Sequence, residues 1–187
     1  MRRVSKPMRL LLAVVLTICS NGALAQAQHY PDVIFVPTPQ EVVDKMLELG
    51  KVGSGDVLYD LGSGDGRIPV TAAKRFGIRA VGIDIDPQRI QEANENAKKN
   101  GVTRLVQFRQ EDLFKSKFAD ATVVTLYLLP DLNVKLRPRL LAELKPGTRI
   151  VSHQFDMGTW KPDRKVELNG RTIYLWTIPE RKSPKPQ

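Results

Sequence analysis

Apolar positions along the chain alternate between two rhythms. Val57, Leu58 and Tyr59 form a short continuous run ending in Asp60, and Ala80 to Ile83 form a second run ending in Asp84. Between them lie Gly62, Gly64 and Gly66 on alternate positions, then a helical pattern that Gly77 stops. Strand, glycine turn, helix, strand is one βαβ unit of a parallel sheet. The alternation continues downstream. Asp86-Pro87 caps a helix running through Ile90, Ala93 and Ala97 to a stop at Asn100-Gly101. Leu105 to Phe108 predicts a third strand. Ala121 to Leu129, an unbroken apolar run between Asp120 and Pro130, predicts a fourth strand covered on both faces. Leu132, Leu136, Leu140 and Leu144 then line one helix face, with Pro138 inside it as a kink. Lys145-Pro146-Gly147 turns into a fifth strand, Arg149 to Gln154.

The two ends of the pattern are equally marked. Tyr30 to Pro39 is punctuated by prolines and reads as extended. Thr38 is the expected N-cap of a helix, with Pro39 at its first position and Glu41 closing a capping box. Val42, Val43, Met46, Leu47 and Leu49 form its apolar stripe, and Gly50 ends it. That helix reads as a leading element packed on the sheet, with a second reading in which Val36 to Thr38 form part of a lid. At the other end, Lys165 to Leu168 and Thr172 to Ile178 pair across Asn169-Gly170, the signature of a type I′ hairpin. The pattern as a whole predicts an α/β fold with a doubly wound, largely parallel sheet.

Composition changes this picture mainly at the N-terminus. With 187 residues of ordinary apolar content, the chain fits one domain and is neither disordered nor a membrane bundle. Met1 to Ala25 has the form of a secretory signal peptide: Arg2, Arg3, Lys6 and Arg9, an apolar run from Leu10 to Ile18, and Ala23-Leu24-Ala25 as a cleavage site. The expected division is therefore signal peptide 1–25 and folded domain 26–187, with an uncleaved membrane anchor as the alternative. The formal charge is +9, and without the four basic residues of the leader 25 basic side chains face 20 acidic ones, a balance of +5. No aromatic-interleaved basic patch accompanies it, so nucleic acid is not favoured as a partner. Cys19 is the only cysteine and belongs to the leader, so the mature chain has no disulfide. Two histidines and no mature cysteine offer no metal-ligand cluster.

The candidate chemistry lies in the glycine turn. A strand turning sharply into a helix needs positive φ and a bare backbone, which glycine supplies. The helix behind it presents free N–H groups and a positive dipole end. Asp84, at the tip of the second strand, is placed to accept both hydroxyls of a ribose. A dinucleotide site would read G-x-G-x-x-G, whereas this turn reads G-x-G-x-G with Asp60 before it and Asp65 inside it. Those carboxylates would repel a pyrophosphate but suit a cation such as the amino group or sulfonium of S-adenosyl-L-methionine.

D-x-G-x-G-x-G followed by G-x-D resembles motifs I and II of the class I S-adenosylmethionine-dependent methyltransferases. The resemblance implies a single doubly wound Rossmann-like sheet of seven strands, mostly parallel with an antiparallel C-terminal hairpin. It assigns cofactor binding to Asp60, Gly62, Ser63, Gly64, Gly66, Asp84 and Ile85. In that family an acidic residue past the third strand contacts the adenine amino group, which implies Asp112 with its neighbour Glu111. Tyr127, at the end of the fourth strand, either shapes the acceptor channel or is core, and His153 reads as a structural histidine. The segments FVPTPQEVVDKML, YDLGSGDGRI, EDLF and YLLPDLNVKLRPRLLAELKPGTRIVSHQF resemble more narrowly the ATP synthase c-subunit lysine N-methyltransferase family. There the acceptor is a lysine on a membrane-embedded protein, and no dedicated catalytic base is required or assigned. No Asn-Pro-Pro-Tyr follows the fourth strand, which disfavours methylation of nucleobases or glutamine.

Two other readings stay beside this one. A nicotinamide-dependent oxidoreductase is disfavoured by Asp60, Asp65 and the glycine spacing. An exported, non-catalytic module binding a nucleoside or a protein is raised by the leader, because S-adenosylmethionine is made in the cytosol.

Overall fold

A computed structural model describes residues 35–181, and the leader Met1 to Ala25 lies outside the described residues. In chain order the elements are α1 (Gln40–Leu49), β1 (Val57–Leu61), α2 (Arg67–Phe76), β2 (Arg79–Asp84), α3 (Pro87–Lys99) and β3 (Val106–Gln110). They continue with β4 (Val123–Leu126), α4 (Pro130–Glu143), β5 (Arg149–His153), β6 (Arg164–Leu168) and β7 (Arg171–Thr177). The seven strands form one sheet in the order β3-β2-β1-β4-β5-β7-β6. Strands β1 to β5 run parallel, and β7 lies antiparallel between β5 and β6. The chain steps outward from β1 to β3 and then returns to the other side of β1 as β4. That reversal opens a crevice beyond the carboxyl ends of β1 and β4.

Two-residue alternation along the strands divides the core between the two faces. Leu58 joins Ala80, Val123 and Val151 in a cluster with Val43, Met46 and Leu47 of α1 and Ile68 and Ala72 of α2. Tyr59 and Leu61 point the other way, into a cluster with Val124, Leu126, Ile150 and the α4 leucines Leu136 and Leu140. Helix α3 joins the first face through Ala97, which meets Val70 and Ala73 of α2. The sheet is thus wound on both sides, as its apolar pattern predicts. Among the described residues no helix is long and apolar enough to cross a membrane.

The fit of the glycine turn and of Phe108 in β3 against the sheet depends on Gly82 in β2. A Cβ there would lie 2.5 Å from the Phe108 ring and 2.7 Å from Ser63 Oγ. Gly82→Ala should therefore cost about 1–3 kcal/mol through overpacking. Urea unfolding would report it as a lower midpoint at unchanged slope.

Several boundaries differ from the pattern. Thr38 does not cap α1. Pro39 holds the N-cap with ψ 148°, no side chain caps the helix, and the Pro39 carbonyl accepts from the N–H groups of Val42 and Val43 at 3.0 Å. The extended Pro39 shifts the helix start by one residue, and the Thr38 hydroxyl turns inward to lie 3.2 Å from His153 Nδ1. Strand β4 pairs only from Val123 to Leu126, because Tyr127 to Leu129 curve over the sheet end to the first residue of α4, Pro130. Strand β5 stops at His153, since Gln154 takes φ 67°. The hairpin forms as expected, with positive φ at both Asn169 (50°) and Gly170 (73°).

Candidate active site

The carboxyl ends of β1 to β4 open into a cavity of about 540 Å³. Its floor is the turn from β1 into α2. Gly62, Gly64 and Gly66 have φ of 83°, 52° and 74°, the left-handed values their spacing predicts. The N–H groups of Gly62 and Ser63 donate to the Ile83 carbonyl at 2.8 and 2.9 Å, locking the turn to the tip of β2. Gly64 N–H donates to Asp84 Oδ2 at 2.8 Å, and Asp86 N–H donates to Asp84 Oδ1 at 3.0 Å. Asp84 is thereby clamped between two loops, with a lone pair left on each oxygen for a ligand. Burial raises its carboxyl above the usual range.

Asp60 is more extreme. It is 2% exposed, accepts one hydrogen bond from Thr125 Oγ1 at 2.7 Å, and forms no salt bridge among the described residues. Burial, with the Asp84 and Asp65 carboxylates nearby, pushes its carboxyl up to about 8. Once ionised, a buried acid without a counter-charge gains from a cation placed beside it. Asp65, by contrast, is already neutralised: Arg67 Nε donates to its Oδ1 at 2.9 Å, and Arg67 Nη2 makes a second bond to Oδ2. Asp65 therefore adds less to the repulsion of a pyrophosphate than its place in the turn implies.

Of the residues expected to bind cofactor, Asp60, Gly62, Ser63, Asp84, Ile85, Glu111 and Asp112 line the cavity. Gly64 and Gly66 shape the turn without lining it. A Cβ on Gly64 would fall 2.2 Å from the Phe35 ring, and one on Gly66 would fall 2.4 Å from the Phe108 ring. Asp112 has two places in the structure. It lines the cavity while its Oδ1 accepts from Phe114 N–H at 2.8 Å as a turn residue. Ser63 Oγ is buried and has no hydrogen-bond partner among the described residues.

The walls contain residues to which the sequence assigned no role in the site. Phe35 lies over the glycine turn with the Arg89 guanidinium 4.7 Å from its ring centroid. Across the mouth, Lys135 Nζ sits 4.2 Å from the centroid of Phe114, and all four line the cavity. Arg89 also pairs with Asp86 and Glu92 at three-residue spacing, which in sequence looks like an ordinary solvated helix face. Val36 and Thr38 line the cavity, as the lid reading of Val36 to Thr38 expects, and Phe35 lines it beside them. At the end of β4 the wall is Tyr127, Leu128 and Leu132. Behind Tyr127 lies His153, fully buried, with ring centroids 4.0 Å apart. Burial, with Arg171 adding to it, lowers His153 to about 4, so the imidazole is neutral.

A buried acid without a counter-charge and a clamped carboxylate with free lone pairs suit the amino group and ribose of S-adenosylmethionine. The basic side chain of the turn is not free for a pyrophosphate, because Arg67 is bound to Asp65.

Comparison with known proteins agrees. The family model of the ANTKMT methyltransferase domain matches residues 60–164. A protein-lysine N-methyltransferase of Saccharolobus islandicus is 46% identical over 159 residues, covering 82% of this chain and 99% of that protein. The mouse lysine N-methyltransferase of the ATP synthase c-subunit is 33% identical over 144 residues; the match covers 77% of this chain and 58% of the mouse protein's length. A crystal structure described as an RNA methyltransferase from Salinibacter ruber, in complex with S-adenosyl-L-homocysteine, superposes with a TM-score of 0.77. It is 60% identical and covers 81% of this chain and 98% of that one. The chain belongs to the ANTKMT methyltransferase family and is an S-adenosylmethionine-dependent methyltransferase.

Proposed function

We propose that the methyl acceptor is the ε-amino group of a protein lysine. The observation that carries this reading is the change of chemistry across the cavity, from a carboxylate floor to the apolar wall of Tyr127, Leu128 and Leu132. S-adenosylmethionine, when bound, supplies a methyl group activated by its sulfonium. In this assignment Asp60 holds its amino group, Asp84 accepts from the ribose hydroxyls, and Asp112 accepts from the adenine amino group. The apolar wall desolvates the arriving lysine, lowering its pKa so that it sheds a proton to water. Its nitrogen lone pair then forms the new N–C bond while the electron pair of the breaking C–S bond passes to sulfur. The methylated amine carries the positive charge and loses a proton to water as it leaves. Alignment and exclusion of water are the protein's main contributions, and no base is needed on the chain.

The name of the Saccharolobus relative and that of the mouse relative support a lysine, and the narrower resemblance points to one on a membrane protein. The Salinibacter structure, by its description, favours RNA as a second reading. The two separate cleanly. Protein incubated with methyl-tritiated cofactor and, in turn, membrane protein, soluble protein and RNA from the source cell should place label in protease-sensitive material. Label removed by ribonuclease would replace lysine by RNA, and no label from a folded sample that binds S-adenosylhomocysteine would favour the non-catalytic module. Export by Met1 to Ala25 is also proposed, with the anchored form as its alternative. N-terminal sequencing of the purified protein should begin at Gln26, after Ala23-Leu24-Ala25, or at Gln28, after Ala25-Gln26-Ala27; an intact Met1 would favour the anchor.

A further inference from the structure

Thr38 and His153 form a polar pair that neither the cofactor assignment nor the fold explains. Thr38 lines the cavity and is 4% exposed, yet its hydroxyl leaves α1 uncapped. Its carbonyl accepts from Arg67 Nη1 at 2.7 Å, which ties it to the glycine turn. Its hydroxyl reaches His153 Nδ1 at 3.2 Å. His153 has no exposed surface, and its Nε2 lacks a hydrogen-bond partner among the described residues. An apolar side chain would fill that space without leaving a buried nitrogen unpaired.

The backbone at His153 is equally unusual. Phe155 N–H donates to the His153 carbonyl at 2.8 Å across Gln154, whose φ is 67°. That is the rare, strained hand of the γ-turn. Strand β7 holds it there: Gln154 N–H donates to the Thr172 carbonyl at 2.7 Å, and Thr172 N–H returns a bond to Gln154 Oε1 at 3.3 Å. The turn sets Phe155 beside Tyr127, whose ring centroid is 6.2 Å away, with His153 at 4.0 Å on the same residue. Three segments therefore meet here: the entry to α1 and the end of β4 line the cavity, and the end of β5 lies behind Tyr127. Local strain of this kind persists where the surroundings over-determine it, commonly at functional sites.

We propose that the Thr38 hydroxyl hydrogen-bonds the acceptor amine, and that His153 is the residue that positions this hydroxyl. The inference rests on the amine-acceptor reading above. A hydroxyl can donate one hydrogen bond and accept two, so contact with Nδ1 leaves Thr38 capacity for a second partner in the cavity. Because the imidazole stays neutral, it adds no positive charge against an incoming amine. The Tyr127 ring covers the imidazole, with centroids 4.0 Å apart. In this scheme Thr38 touches the substrate, whereas His153 acts through Thr38.

The test compares Thr38→Val, Thr38→Ser, His153→Leu, His153→Asn and the Thr38→Val/His153→Leu double variant with the unaltered protein. Calorimetric titration with S-adenosylhomocysteine should give the same affinity throughout, showing that the cofactor floor is intact. Transfer of tritiated methyl to the accepting fraction should fall in kcat by about ten- to a hundredfold for Thr38→Val and for His153→Leu. Thr38→Ser, which keeps the hydroxyl, and His153→Asn, which keeps a polar atom near the Nδ1 position, should recover most of that loss. The double variant should be no slower than the slower single, as expected of groups acting as a unit.

Unchanged kcat in Thr38→Val, or a double variant whose loss is the product of the singles, would overturn the proposal. So would loss of S-adenosylhomocysteine affinity in parallel with activity. If the unaltered protein labels RNA and no lysine, the lysine reading falls while the variants still test Thr38 on that acceptor. Should no fraction accept label, both are overturned.

Discussion

Cofactor affinity is expected to rise about tenfold for each unit of pH between about 5 and 7, with release of close to one proton per molecule bound. The origin is Asp60, whose carboxyl is held up to about 8 by burial and by neighbouring carboxylates. Through this range the free protein keeps Asp60 protonated, whereas the cofactor's amino group, an ordinary α-amine of pKa about 8, is cationic. Binding then requires Asp60 to ionise against that ammonium, and each unit of pH below about 8 adds about 1.36 kcal/mol to the cost. Titrations in buffers of different ionisation enthalpy would read the released proton directly. Asp60→Asn should flatten the pH dependence and weaken binding throughout. An affinity independent of pH in the native protein would contradict the role of Asp60. The same group predicts the direction of a stability change. The folded state holds the proton up to about 8 and the unfolded chain sheds it at about 4, so the contribution of Asp60 to the stability of the cofactor-free protein is greatest in acid and declines as pH rises from about 4 to about 8. The difference in stability between the native protein and Asp60→Asn isolates this contribution, because His153, lowered to about 4, works in the opposite direction between about 4 and about 6.5.

Asp84→Ala is expected to weaken binding of S-adenosylmethionine by about a hundredfold or more, because two charge-assisted hydrogen bonds of about 1.5 kcal/mol or more each are lost. It should also destabilise the protein by about 1–3 kcal/mol, since the N–H groups of Gly64 and Asp86 both lose their carboxylate acceptor. Asp84→Asn keeps one acceptor oxygen and should lie between the two in both measurements. Gly64→Val arrives at the same loss of binding by another route. Its Cβ would lie 2.2 Å from Phe35, and its φ of 52° is strained for any β-branched side chain. Calorimetry paired with thermal unfolding separates binding from stability in each variant. Asp84→Ala binding as tightly as the native protein would remove Asp84 from the cofactor site.

Features set by neighbouring residues were legible in sequence. Alternate glycines bounded by Asp60 and Asp84 required the positive φ values that the turn adopts, and Asn169-Gly170 required the hairpin. Helix α3 begins where Asp86 predicts, with its side chain accepting from Gln88 N–H at 2.8 Å. Long-range competition decided the rest. The capping box at Thr38 is sound chemistry in isolation, but the extended Pro39 and the proximity of His153 draw the hydroxyl away from the helix. The fourth apolar run is longer than its strand because its last three residues become cavity wall and helix entry. Asp65 reads as free charge until Arg67 folds back on it. Phe35, Arg89, Phe114 and Lys135 come from separate segments, and only the folded sheet brings them to one mouth. Their types gave no warning, since aromatics and helix-surface cations are ordinary at those positions.

Lysine as the acceptor is tested most directly by intact-mass and peptide mass spectrometry of proteins from cells with and without the gene. Cells carrying it should contain a protein with a methylated lysine that is unmethylated when the gene is deleted, and re-expression should restore the modification whereas the Asp84→Ala form should not. An unchanged lysine-methylation profile, with loss of a methylated nucleotide in RNA instead, would contradict the account.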